Sequence, residues 1–359
     1  MMVASTVRYQ AFGVRTCTRT LRYNRRTAAA AAATQTGETK KVALVTGGSG
    51  GIGASTVRNL VEKNYTVVIA ARSKTKATSA ADQVRESVPD ADVRIADLDL
   101  ASFASVRACA DNILDEYERL DVVCNNAGIM ALPSRELSVD GCEMQMQVNH
   151  LGHFVLMEKL YPLLKATADA SGEPARIVNV SSVAHNFAST SFPVTDVNLA
   201  EPGAYGALGW TAYGNSKLAN ILFTKELHRR LRKAGVSNVL VNAVHPGVVD
   251  SELPRNLSIN FYPLLRILGQ LITNDEGARG QTRLCLGSAP FETVSGAYIA
   301  EMASQGKKGE HELFDSSAQS NDLGLQRAFW DESCRLTGSK WNVLEASTQT
   351  EQQLSEMNV

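Results

Sequence analysis

The chain has 359 residues, 44% of them hydrophobic and 20% charged, so it can bury a large core within one large domain or two small ones. A formal net charge of −1 excludes the general basic surface that nucleic-acid binding requires. The six cysteines, Cys17, Cys109, Cys124, Cys142, Cys285 and Cys334, stand far apart; that spacing fits neither a zinc site nor a redox dithiol, and they read as buried thiols.

Residues 1–39 differ in kind from the rest. Arg8, Arg15, Arg19, Arg22, Arg25 and Arg26 alternate with Ser and Thr, and no acidic residue precedes Glu38. That is the composition of an organelle transit peptide, plastid or mitochondrial; the alternative is a disordered basic tail on a cytoplasmic protein. The run Ala28–Ala33 is too short for a secretory signal, and no apolar run reaches the roughly 18 residues of a membrane-spanning helix.

From Lys41 onward, short β-branched runs alternate with amphipathic stretches of helical length, the rhythm of βαβ units on a parallel sheet. Strands are expected at Val42–Val45, Thr66–Ala70, Val93–Ala96, Val122–Cys124, Ile177–Val180, Leu240–Ala243 and Ala297–Ile299. Helices fill the gaps, notably Ile52–Glu62, Phe103–Tyr117, Glu143–Leu164 and Ala212–Leu231. No repeat or low-complexity linker interrupts this span. The fold class is therefore α/β, a single Rossmann-type doubly wound domain over residues 40–340, followed by a polar tail at 341–359.

The first strand leads directly into Thr46-Gly47-Gly48-Ser49-Gly50-Gly51-Ile52-Gly53. Glycines there let the backbone turn tightly and approach a pyrophosphate, whose charge is met by the N–H groups opening the next helix. After the second strand comes Ala71-Arg72-Ser73-Lys74, where an NAD site usually carries an acid about 20 residues past the glycines. A guanidinium grips a 2′-phosphate that a carboxylate would repel, so Arg72 points to NADP(H), unless Arg72 and Lys74 are only a solvated loop. Tyr213 and Lys217 stand four apart on one helical face. An ammonium beside a phenol lowers its pKa, so Tyr213 can exchange a proton with a substrate oxygen. By itself, though, such a pair is more often surface decoration.

Taken in order, Thr46-Gly47-(three residues)-Gly51-Ile52-Gly53, Asp99-Leu100, Asn125-Asn126-Ala127-Gly128, Val148-Asn149-His150, Ser181-Ser182, Tyr213 to Lys217, and Pro246-Gly247 resemble a short-chain dehydrogenase/reductase. The strings Val148–Phe154, Tyr213–Asn220 and His245-Pro246-Gly247 are similar to its retinol dehydrogenase-like branch, which includes the WW-domain oxidoreductase. The resemblance implies catalytic roles for four residues. Ser182 would hydrogen-bond the substrate oxygen and Tyr213 would act as acid or base. Lys217 would tune Tyr213 and bind the nicotinamide ribose, and Asn149 would hold a water in the proton path. It also implies cofactor contacts at Gly47, Ser49, Gly51, Ile52, Gly53, Arg72, Asp99, Leu100, Asn126, Ala127, Gly128, Pro246, Gly247, Val249 and Ser251, besides Tyr213 and Lys217.

The apolar stretch Leu253 to Ile272 reads either as a lid over an apolar ligand or as a helix packed on the core, with peripheral membrane contact a third reading. His150, His153, His185 and His245 lack metal-ligand spacing, and core or turn roles are expected of them. The functional expectation is hydride transfer between NADP(H) and a carbonyl or alcohol of a hydrophobic small molecule, retinal-like or lipid-derived. The alternative is an NADP(H)-binding redox-sensing subunit with little turnover. A homo-oligomer is compatible with either.

Overall fold

A strand buried on both faces has to be apolar along its whole length, and the central strands meet that requirement. The computed structural model describes residues 40–192, 194–250, 271–302 and 306–343. The expected transit segment, Ser251 and nearly all of the Leu253–Ile272 stretch lie outside them. Every residue is buried in β1 (Val42–Thr46), β2 (Thr66–Ala71), β4 (Val122–Asn125), β6 (Val239–His245) and β7 (Tyr298–Met302), and all but one in β5 (Ala175–Val180). With β3 (Val93–Asp97) and β8 (Lys307–Leu313) they form a sheet of eight strands in the order β3-β2-β1-β4-β5-β6-β7-β8. All pairings are parallel except β7 with β8.

The seven expected strands are present, each slightly longer than the apolar run that announced it. β8 is not announced, because its sequence KKGEHEL is dominated by charge. Such composition suits the edge it occupies: Gly309 and His311 face inward, and the charged side chains keep the edge from pairing with another chain. Strand β1 is flanked by β2 on one side and β4 on the other. The order reverses there, and α/β folds bind ligands at the carboxyl ends of strands beside such a switch point.

Helices α1 (Gly51–Val61), α2 (Lys74–Ser87), α3 (Phe103–Glu116), α4 (Gly152–Ser171), α5 (Trp210–Lys233), α6 (Asn274–Leu286) and α7 (Leu323–Thr337) complete the layers. The helix expected over Glu143–Leu164 is not uniform. A short turn at Met144–Met146 passes into a π turn at Gln147–Leu151 before α4 begins. π turns of this kind are frequent at functional positions, and Asn149 sits in this one. Glu143 starts the element: its carboxylate accepts the N–H groups of Gln145 (2.9 Å) and Met146 (2.7 Å). Burial raises its pKa to about 7, against the lowering effect of those two N–H donors.

Packing reaches a few residues past the boundary expected near residue 340. Trp341 is 6% exposed and Val343 1%, so packing continues past the expected start of the polar tail. Trp341 meets the rings of Trp330, Phe154 and Phe223 in tilted or edge-on contacts at centroid distances of 5.0, 5.5 and 6.0 Å, fastening α7 onto α4 and α5. Aromatic pairs of this geometry add about 0.5–1.5 kcal/mol each beyond burial.

Candidate active site

The site begins where β1 runs out. Gly47 has φ of +66°, and a Cβ there would lie 2.9 Å from the Cα of Ala127. A Cβ on Gly53 would lie 2.5 Å from the Gly47 carbonyl oxygen. The turn therefore tolerates no side chain at either position and lies directly against the segment after β4. Toward the outside it is open: a Cβ on Gly50 would meet nothing within 4 Å, and α1 starts without any side-chain cap. Its first N–H groups are thus left for an anion. At the rim, the buried carboxamide oxygen of Asn274 has no hydrogen-bond partner and stands 3.7 Å from the Cβ position of Gly51. A dinucleotide fits this cradle, with Gly47 to Gly53 around its pyrophosphate.

Thr46 holds the turn to the β4 loop. Its hydroxyl oxygen accepts the N–H groups of Asn126 and Ala127, both at 2.9 Å, and its carbonyl accepts from Asn126 Nδ2 at 2.8 Å. Asn126 Oδ1 accepts from Gln281 Nε2 on α6 at 3.3 Å, so this side chain braces the loop. On the far side of Thr46, its hydroxyl lies 2.9 Å from His153 Nε2, and His153 Nδ1 lies 3.2 Å from the Asn149 carbonyl.

Gly128 then brings the loop past two of the expected catalytic residues: a Cβ there would lie 3.1 Å from Asn149 Oδ1 and 3.5 Å from Lys217 Nζ. Asn149 Nδ2 donates to the Ile129 carbonyl (2.9 Å) and to Ser216 Oγ (2.8 Å), and its Oδ1 accepts the Ile129 N–H (2.8 Å). Ser216 Oγ donates to the Tyr213 carbonyl at 2.7 Å. Lys217 is 4% exposed, its Nζ donating to the Val180 carbonyl at 3.1 Å and standing 5.6 Å from the Tyr213 ring centroid. Burial lowers its pKa to about 8, which keeps it predominantly an ammonium at neutral pH. Ser182, at the end of β5, is half-buried; its Oγ accepts the Ala184 N–H at 3.1 Å and its carbonyl accepts from His185 Nδ1 at 2.7 Å. The four expected catalytic residues thus lie near the carboxyl ends of β4 and β5, and Gly128, which borders Asn149 and Lys217, follows directly on Ala127, which borders the glycine turn.

Other expected contacts fall around this centre. Arg72 is exposed immediately after β2, beside Ser73, whose hydroxyl caps α2 by accepting the Lys76 N–H at 3.3 Å. Asp99 turns one carboxylate oxygen back to the Ala101 N–H (3.0 Å). Leu100 is 5% exposed, its carbonyl oxygen 2.8 Å from where a Cβ on Gly152 would stand, so it packs under the π turn. Past β6, Gly247 has φ of +93°, and Val249 forms a parallel bridge with Ile272. Ile52, Pro246 and Val249 converge on Gly277, whose Cβ would meet each within 3.3 Å; α6 therefore joins the two ends of the cleft. Sequence reasoning passed over Asn274, Gln281 and the part played by His153: no motif marks them, and the partners of Gln281 and His153 are distant in the chain.

Beside Tyr213, an apolar patch of Met130, Ala131 and Ala184 packs with Trp210. Phe187 meets Trp210 edge-on at 5.9 Å. Val183, Phe187 and Leu208 are 46%, 57% and 37% exposed.

A doubly wound sheet, a glycine turn and a Ser–Tyr–Lys set with its asparagine define a nicotinamide-dependent oxidoreductase. The chain belongs to the short-chain dehydrogenases: the family model described as short chain dehydrogenase matches residues 41–194 and 200–260. It is similar to retinol dehydrogenase 12 of Homo sapiens, 38% identical over 303 residues, or 84% of this chain and 87% of that protein. Among solved structures it resembles an uncharacterized protein from Mycobacterium paratuberculosis with TM-score 0.66 and 32% identity, covering 86% of this chain and 98% of that one. A second is the Pseudomonas aeruginosa RhlG/NADP active-site complex, with TM-score 0.56, 28% identity, and 73% and 95% covered.

Proposed function

We propose that the chain moves a hydride between NADP(H) and the carbonyl or alcohol of an apolar small molecule. The observation that carries this reading is the buried Lys217 ammonium beside Tyr213, with Ser182 at the same strand ends and the glycine turn across the cleft. When bound, the nicotinamide supplies or takes up the hydride. Tyr213 gives a proton to, or takes one from, the substrate oxygen at its hydroxyl, and Lys217 makes that exchange possible at neutral pH. Ser182 Oγ hydrogen-bonds the substrate oxygen. The Asn149 carboxamide is committed to Ile129 and Ser216, so its part in the proton path falls to its main-chain carbonyl.

Arg72 supports NADP(H) over NAD(H), since it stands exposed where β2 ends and no carboxylate takes its place. The NADP in the RhlG complex agrees with that reading. The apolar patch beside Tyr213, the exposed Val183, Phe187 and Leu208, and the retinol named in the relatives support a hydrophobic substrate. The composition of residues 1–39 supports delivery to a plastid or mitochondrion; a reporter fused to that segment and found in the cytosol would refute this part alone. No helix among the described residues is long and apolar enough to cross a membrane.

A panel of apolar aldehydes and ketones, offered with NADPH and with NADH while cofactor absorbance is followed, tests the whole reading. Turnover of at least one apolar carbonyl, faster with NADPH, is expected. No turnover with either cofactor refutes the reaction, and equal rates with the two refute the cofactor choice.

A further inference from the structure

His150 and His153 lie three residues apart in the same segment, and both are almost wholly buried, yet their surroundings differ. His150 sits among the rings of Phe154, Phe223 and Phe329, with Nε2 3.1 Å from Ser333 Oγ, and serves the core. His153 stands between the cofactor turn and the proton-handling residues. We propose that His153 is a positioning residue of hydride transfer: a neutral imidazole protonated on Nδ1, it ties the Asn149 carbonyl to the Thr46 hydroxyl and so holds the two halves of the site in register.

The tautomer is assigned from its partners. A main-chain carbonyl can only accept, so Nδ1, 3.2 Å from the Asn149 oxygen, carries the hydrogen. Burial drives the His153 pKa down to about 4, leaving one ring proton at neutral pH. Nε2 must therefore accept, and the donor 2.9 Å away is the Thr46 hydroxyl. The remaining capacity of that hydroxyl oxygen is filled by the Asn126 and Ala127 N–H groups. The competing acceptor for its proton, the Cys124 carbonyl, lies at 3.4 Å.

Donors and acceptors then close without a gap from the β4 loop through Thr46 and His153 to Asn149. From there the chain runs through Asn149 Nδ2 and Ser216 to the main chain of Tyr213. A shift of the dinucleotide turn is felt at the residue that exchanges the proton. Misplacement by about 1 Å can cost on the order of a hundredfold in rate.

This role rests on the oxidoreductase reading, and its test separates the two. Three variants divide the bridge: His153→Leu removes both ends, His153→Gln can reach Thr46 only, and His153→Asn can reach the Asn149 carbonyl only. On the full chain, NADPH affinity from fluorescence and the single-turnover rate with an apolar aldehyde are measured alongside thermal midpoints. His153→Leu should lose roughly tenfold or more in both. His153→Gln should recover affinity more than rate, and His153→Asn rate more than affinity. Equal losses in all three, following the drop in thermal midpoint, would reduce His153 to a core residue, and no loss in His153→Leu would dismiss it altogether.

Imidazole nitrogen NMR of the wild-type protein without cofactor gives a second, independent readout. A neutral Nδ1–H form through the neutral pH range is expected, and an Nε2–H form overturns the bridge even if every variant is unstable. That spectrum needs neither cofactor nor substrate, so the bridge can fail while the oxidoreductase stands. Wild type that binds neither NADPH nor NADH would instead sink the functional reading and this role with it.

Discussion

The two sides of the cleft are built on different physics. On the cofactor side, Thr46, Asn126, Asn149 and His153 fix backbone segments to one another through buried hydrogen bonds, nearly every donor matched. On the side proposed for the substrate, Val183, Phe187 and Leu208 present apolar surface, Phe187 meets Trp210, and Trp210 meets Tyr213. Hydrogen bonds are directional and lose much when one partner goes. Apolar contact is non-directional and degrades gradually with area. Under the proposed function, residue identity would define the reaction on the first side and shape the ligand on the second.

Three substitutions sharpen that contrast, and Lys217→Met should have the largest effect. Turnover should fall by roughly 10²–10⁴, the usual contribution of acid–base groups, yet the protein should become more stable at neutral pH. Lys217 has a folded pKa of about 8 against an ordinary 10.5, because burial disfavours its charge. Between those values the unfolded chain binds more protons, so the wild-type stability linked to this residue rises with pH from about 8 to 10.5. Turnover should decline as the folded protein loses this ammonium around pH 8. Urea unfolding and rate profiles on wild type and variant check both, and a destabilised Lys217→Met would contradict the account.

Arg72→Ala comes next. Losing charged hydrogen bonds of about 1.5–3 kcal/mol should weaken NADPH binding by roughly 10–100-fold and leave NADH unchanged; titration of the two cofactors decides. The smallest effect belongs to the apolar side. Phe187→Ser should raise KM for long apolar substrates a few-fold, at about 25 cal/mol for each Å² of ligand surface left in water, with kcat little changed. A collapse of kcat there would mean that Phe187 belongs to the directional side after all.

The same contrast governs what the sequence discloses. Six of the expected strands are readable because burial on both faces demands unbroken apolar runs, whereas the catalytic set is expected from its resemblance to ordered family motifs and not from spacing alone. β8 is hidden by the charges an edge needs, and Trp341 by the polar residues after it. Nothing local marks the bond between Thr46 and His153, 107 positions apart, since a histidine in a buried helix reads as core until its partners are seen. Leu100, expected among the cofactor contacts by resemblance, has its side chain packed against Gly152.

The central claim is that Tyr213 exchanges the proton while the cofactor side is already fixed without it. Comparing wild type with Tyr213→Phe, on one apolar aldehyde that the wild type reduces, isolates that step. The account predicts turnover lowered by at least about a hundredfold, with NADPH affinity within a few-fold of wild type. Undiminished turnover in Tyr213→Phe would contradict it.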